Sequence, residues 1–154
     1  MILDVGCGPN PKGDVNCDLF KDYTPEYNPV KKAKVSGQNF VCCSGEYLPF
    51  QNNMFDSVIS IHVIEHCLRP SLFLSELVRV SNSKVLVKCP HRFGKLARMS
   101  YHRSYLNFTW FNRELKGLQA LVTVSKYRFE MLKIPEEITV KIYKKVNDIE
   151  YLFS

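Results

Sequence analysis

No stretch of this sequence approaches the ~20 consecutive apolar residues that a membrane-spanning helix requires. The N-terminus, Met1-Ile2-Leu3-Asp4-Val5-Gly6, has neither the basic start nor the cleavage site of a secretory leader. No repeat or low-complexity tract interrupts the chain, and 7 Gly and 8 Pro are too few and too scattered for a collagen-like or disordered composition. Six cysteines are present (Cys7, Cys17, Cys42, Cys43, Cys67 and Cys89), but none form a Cys-x-x-Cys pair and their spacing fits no zinc ribbon or finger. Several lie in apolar runs, where free cysteine behaves as a small buried hydrophobe. These absences argue against a membrane partner, a disulfide scaffold and a structural metal. The expectation is a soluble cytoplasmic protein with reduced thiols.

What is present is an ordinary globular composition: 154 residues, 45% hydrophobic and 23% charged, enough for one domain over residues 1–154. The net charge of +6 hides an asymmetry. Residues 1–77 carry 6 Lys/Arg against 9 Asp/Glu, and residues 78–154 carry 15 against 6. A basic half can draw an anionic partner to one side, or can be a solvated surface rich in lysine.

Ile2-Leu3-Asp4-Val5 reads as a buried strand closed by Gly6 and Gly8. Further strands are expected at 15–19, 40–43, 56–61, 85–89, 120–124 and 138–143. Residues 20–38 read as an irregular surface stretch. Pro70 opens an amphipathic helix whose apolar positions Leu72, Phe73, Leu77 and Val80 recur at helical spacing, and 109–118 looks helical. Alternating strands and helices point to an α/β domain with a largely parallel sheet.

The turn after the first strand, Gly6-Cys7-Gly8-Pro9, lets backbone approach a ligand closely and can aim amides at its polar atoms. Asp18, at the end of the second strand, stands where open α/β sheets place a carboxylate for ribose hydroxyls. It follows Gly6 at a shorter interval than the ~20 residues of the dinucleotide fingerprint, and the third glycine is missing. Both features count against a dehydrogenase and leave room for only a vestigial first helix.

Further along, Leu48-Pro49-Phe50 is followed by Phe55-Asp56-Ser57-Val58 and His62-Val63-Ile64-Glu65-His66. Pro70, Phe73-Leu74, Glu76-Leu77 and Arg79-Val80 come next. With the glycine turn, these motifs in this order resemble the class I S-adenosylmethionine (SAM)-dependent methyltransferases from residue 2 to about residue 90. The resemblance implies a Rossmann-like seven-stranded, mostly parallel sheet with helices on both faces, truncated at the N-terminus. Its strand order would be 3-2-1-4-5-7-6 with the seventh strand antiparallel. It implies SAM as methyl donor, with Asp4, Gly6, Cys7 and Gly8 beside its methionine part and Asp18 and Leu19 at its ribose. Ser44, Gly45 and Glu46 would flank the adenine, and Ile61 and His62 would line the pocket after the fourth strand. Ser44 stands where the family usually has an aspartate, and Ser81-Asn82-Ser83-Lys84 replaces its glycine turn before the fifth strand.

His62-x-x-Glu65-His66 also matches the H-x-x-E-H of inverted zinc proteases, which needs both histidines on one helical face. Some O-methyltransferases similar to this chain hold a cation with E-x-x-E-H. Here His62 replaces the first glutamate, so no metal is expected and the Glu65–His66 pair is expected to cap and orient the following helix. Residues 84–103 hold six Lys/Arg, two His and no acid, and run on into Tyr105, Phe108, Trp110 and Phe111. That pattern suits a phosphate-bearing acceptor such as a nucleic acid or a small molecule, and equally a solvated face over core aromatics. The expected activity is methyl transfer from SAM to an N, O or C nucleophile. No catalytic residue is identified, and His62, His66 and His91 are candidate bases only. The alternative is a degenerate methyltransferase-like domain that binds SAM or a protein partner without catalysis.

Overall fold

A computed structural model describes residues 1–19, 22–23, 33–34, 39–94, 97, 102–128 and 134–144. Most of the 20–38 stretch, and Lys95 and Arg98 of the basic segment, lie outside the described residues. The strands are β1 (Ile2–Val5), β2 (Val15–Asp18), β3 (Asp22–Tyr23), β4 (Ala33–Lys34), β5 (Phe40–Cys42), β6 (Phe55–Ile61), β7 (Ser81–Pro90), β8 (Gln119–Arg128) and β9 (Ile134–Tyr143). A 3₁₀ turn spans Ile64–His66, and the helices are α1 (Pro70–Val80) and α2 (Phe108–Glu114). Seven strands form one sheet in the order β5-β2-β1-β6-β7-β9-β8, while β3 and β4 pair separately. All neighbours from β5 to β7 are parallel, and β9 runs antiparallel between β7 and β8. Renumbered along this sheet, that is the order 3-2-1-4-5-7-6.

Register places the apolar residues on one face. Leu3 pairs with Val58, Val58 with Val85, and Val85 with Ile142. Two residues on, Val87 faces Val140 and Cys89 faces Ile138. Helix α1 covers this surface because Phe73, Leu74, Leu77 and Val80 fall on a single stripe, all of them buried in the same core. Helix α2 adds Phe111 to that core, and its flanking Leu115 shares a cleft with Leu74 and Val78 of α1. Of the helices expected on both faces, the described residues supply those of this face.

The first crossover, residues 6–14, is a chain of turns and bends with no helix. Two boundaries differ from expectation. The Ser81–Lys84 segment is strand rather than turn, because α1 passes directly into β7 and Ser81 already pairs with Phe55. Strand β9 begins ahead of the expected start at 138, so that Pro135 belongs to it. Pro135 pairs with Tyr127 beyond the last β7 partner, Pro90 with Glu137, so its missing amide costs no bond on that side.

Candidate functional site

At the carboxyl ends of β1, β2, β5 and β6 lies a cavity of ≈ 400 Å³. Of the residues expected there, Gly6, Asp18, Leu19, Ser44, Gly45, Glu46 and His62 line it, whereas Asp4, Cys7, Gly8 and Ile61 do not. Sequence reasoning did not assign Val63, His66, Cys67, Leu68, Phe73 and Arg103 to its wall. Phe73 carries a signal, since it lies on the inward stripe of α1, but periodicity alone cannot separate a pocket wall from core. Arg103 reaches the site from a segment far away in sequence.

The glycine turn is shaped for closeness. Gly6 has φ +72° and Gly8 φ +57°, in the left-handed region that favours glycine. A Cβ at Gly6 would collide with the methyls of Val63. The amides, however, are engaged within the protein: those of Gly6 and Cys7 both donate to the Cys17 carbonyl, at 2.8 and 3.1 Å, and that of Gly8 to Asp18 Oδ2 at 3.0 Å. The turn therefore offers a ligand close approach rather than those three donors. Asp4 acts one layer below, accepting from the Lys12 amide at 2.9 Å and so tying down the crossover; burial raises its carboxyl pKa.

Asp18 ends β2 with its carboxylate at the cavity wall and is 7% exposed. A carboxylate offers about four acceptor sites, of which the Gly8 amide takes one. Across the cavity the Ser44 hydroxyl accepts from the Glu46 amide at 3.2 Å, a turn-closing role open to an aspartate as well. The Glu46 carboxylate receives the Arg69 amide at 2.9 Å and its Nε at 3.3 Å. It is thus Glu46, and not the Glu65 carboxylate, that holds the start of α1. Leu19 and Leu68, 57% and 70% exposed, stand at the lips of the cavity, and Phe73 forms its floor.

His62 sits at φ +58° in the turn after β6, not on a helix, so the two-histidine helical face of an inverted zinc protease is absent. Its Nδ1 lies 3.5 Å from Glu65 Oε1 and its Nε2 3.2 Å from Glu137 Oε2. The Glu65 contact raises the His62 pKa most; burial opposes it, and Glu137 adds to it. His91 does not line the cavity; it packs beside Phe93 and Phe108, and burial lowers its pKa. The Cys67 thiol in the cavity wall is pushed up to about 12 by burial, as is Cys7, so neither is a nucleophile near neutral pH.

The basic segment is divided by the fold. Lys84 lies near the start of β7, away from the cavity, and Lys88 pairs with Glu137 at 3.7 Å. Arg92 stacks over Phe93, its guanidinium 5.2 Å from the ring centre, and Arg103 reaches the cavity. Phe111 is core, while Phe93 and Tyr105 are exposed.

Residues 3–87 match the model of the methyltransferase domain family. The chain belongs to that family. A methyltransferase of Schizosaccharomyces pombe whose activity is uncharacterized is 32% identical over 106 residues, covering 57% of this chain. The chain spans 38% of that relative's length. A SAM-dependent methyltransferase from Archaeoglobus fulgidus superposes with a TM-score of 0.69 at 13% identity, over 93% of this chain and 85% of that one. Another from Thermotoga maritima, described as a possible histamine N-methyltransferase, gives 0.66 at 15% identity, over 94% and 82%.

The methyl donor that goes with this methyltransferase family is SAM, and the cavity fits it on three counts. Its volume falls within the ~300–1,000 Å³ of small-molecule sites. Asp18 supplies a buried carboxylate in its wall, a group able to accept from a ribose diol. Leu19, Leu68 and Phe73 offer apolar surface to a purine. Among the described residues, no helix is long and apolar enough to cross a membrane.

Proposed function

We propose that this methyltransferase domain binds SAM in the cavity between the Gly6 turn, Asp18 and Ser44–Glu46. The observation that carries the reading is Asp18, a buried carboxylate in the wall of a cavity at the carboxyl edge of a methyltransferase-type sheet. SAM, when bound, supplies a methyl group on a positively charged sulfur. Asp18 accepts the ribose hydroxyls, Gly6 lets the backbone approach the methionine part, and Leu19, Leu68 and Phe73 hold the purine and exclude water. Orienting the acceptor against the methyl group then contributes most of the rate. The alternative of a binding domain without catalysis draws on the turn amides, all three of which are engaged internally.

The acceptor we propose is anionic and phosphate-bearing, with RNA as the leading case and an N, O or C atom as nucleophile. In support, Arg103 stands in the cavity wall, and Arg92 stacks on exposed Phe93 beyond it. A guanidinium can meet phosphate while an aromatic face stacks on a base. The thiols fit a reducing compartment such as the cytoplasm.

Radiolabelled methyl transfer from SAM to fractionated cell extract, sorted into protein, RNA and small molecules, tests this reading. Label is expected in RNA, with acceptor binding that weakens as salt rises. Replacing Arg92, Lys95 and Arg98 together by alanine should flatten the log–log salt slope by about 2, at ~0.7 per single-strand phosphate contact. Label confined to small neutral molecules, with binding indifferent to salt, would overturn the acceptor assignment. SAM binding without any labelled product would favour the non-catalytic alternative.

A further inference from the structure

Glu65 is 3% exposed, and among the described residues neither of its carboxylate oxygens has a hydrogen-bond partner. A buried ionised carboxylate without hydrogen bonds is costly unless a cation faces it. His62 answers that need only in part, at 3.5 Å, with its other ring nitrogen turned to Glu137. Glu65 does not cap α1, because Glu46 does.

The fold brings two imidazoles to this carboxylate. The 3₁₀ turn Ile64–His66 places His66 in the cavity wall, its Nε2 4.0 Å from Glu65 Oε1. The amides of Arg103 and Ser104 both donate to the Glu65 carbonyl, at 2.8 and 3.1 Å, which clamps the later segment onto this turn. That clamp sets His102 edge-on to His66, with ring centres 4.8 Å apart. One ligand atom from each of Glu65, His66 and His102 lies within 4.8 Å of the other two.

We propose that Glu65, His66 and His102 form a binding site for a divalent first-row transition cation, opening onto the cavity. This goes against the expectation, drawn from His62, that the chain holds no metal. Metal–ligand bonds of about 2.0–2.2 Å place neighbouring ligand atoms roughly 3–3.5 Å apart, so the three side chains need close in by only about an ångström. Two imidazoles and one carboxylate suit zinc, cobalt, manganese or iron(II) better than calcium or magnesium, which prefer all-oxygen sets. Three protein ligands leave a coordination position open to an oxygen donor, and His66 stands in the cavity wall from which one would come. That chemical use rests on the methyl-transfer reading; cation binding itself does not.

The test uses untagged protein freed of metal by dialysis against a chelator. Calorimetric titration with Zn²⁺ and visible absorption with Co²⁺ should each show one saturable equivalent. Glu65→Gln and His102→Gln should each weaken binding by about tenfold or more, while His91→Gln, outside the cluster, should leave it unchanged. Circular dichroism establishes that each variant is folded. If Glu65→Gln does not fold, His102→Gln decides alone. Absence of stoichiometric binding, or binding indifferent to the variants at 65 and 102, would overturn the site and leave Glu65 as the counter-charge of His62. Titrating the chelator-treated protein with S-adenosylhomocysteine reads the methyl-donor site by itself, so failure of one reading is visible without the other.

Discussion

At Gly6 the backbone is held at φ +72° while the space a Cβ would occupy belongs to the Val63 methyls. Gly6→Ala combines left-handed strain with overpacking and is expected to cost about 2–4 kcal/mol of folding stability. Urea unfolding of the two proteins would show it as a lower midpoint at unchanged slope. Gly6 and Asp18 were legible in the sequence because a strand-closing turn and a strand-ending carboxylate are local patterns. Val63, which makes Gly6 obligatory, was not assigned to the site, and neither was Arg103. Their places depend on which segments meet in three dimensions, and spacing along the chain does not encode that. Asp4 was expected beside the methionine part of SAM; its carboxylate accepts from the Lys12 amide, and it is not among the residues lining the cavity.

Among the elements, α1 shows why its motif has the composition it has. Arg79 Nε donates to Glu76 Oε1 at 2.6 Å, and its terminal nitrogens reach the carbonyls of Leu48 and Phe50 at 2.9 and 2.7 Å. Glu76 Oε2 accepts from the Leu48 amide at 2.8 Å. One ion pair thereby fastens the Leu48–Phe50 loop to the helix, and that loop leads out of the Ser44–Glu46 turn in the cavity wall. Arg79→Ala is expected to destabilise by roughly 2 kcal/mol, because charge-assisted bonds to backbone are lost. The Arg79 guanidinium holds the Glu76 carboxyl below its ordinary value of 4.5. A depressed carboxylate stabilises above its unfolded pKa and loses that contribution as pH falls through the folded one. The deficit of Arg79→Ala should therefore be full at pH 6–7 and shrink below about pH 4.5 in urea titrations; a deficit constant with pH would contradict the role given to Glu76. Helix α1 and the seven strands of the main sheet were legible from period and branching, whereas the two-residue β3 and β4 fall in the 20–38 stretch that reads as irregular, being too short to show any period. The start of β9 and Ser81–Lys84 were misplaced, because proline and polar residues read as loop wherever the neighbouring strand's length is unknown.

On the scale of the whole molecule, the seven-stranded order and its antiparallel ninth strand followed from the family resemblance and not from periodicity, which shows where strands lie but not how they are ordered. The same sheet distributes the cysteines, all six unpaired: Cys42 exposed, Cys17 and Cys89 buried. The neighbouring Cys17 thiol lowers the Cys43 pKa, while the Cys43 thiol and burial raise that of Cys17. A thiol-exchange reagent at pH 7.5 should label Cys42 first and Cys43 second, the others only after unfolding. Since Cys43 lines the cavity, S-adenosylhomocysteine should slow its labelling and leave Cys42 unaffected. The assignment of that cavity to the methyl donor is tested most directly by calorimetric titration of S-adenosylhomocysteine into the wild-type protein and Asp18→Ala. The wild-type protein should bind one equivalent, and the variant should lose about 1.5–3 kcal/mol of binding free energy, roughly 10- to 150-fold in affinity. Equal affinity in the two proteins, with Asp18→Ala still folded, would contradict the placement.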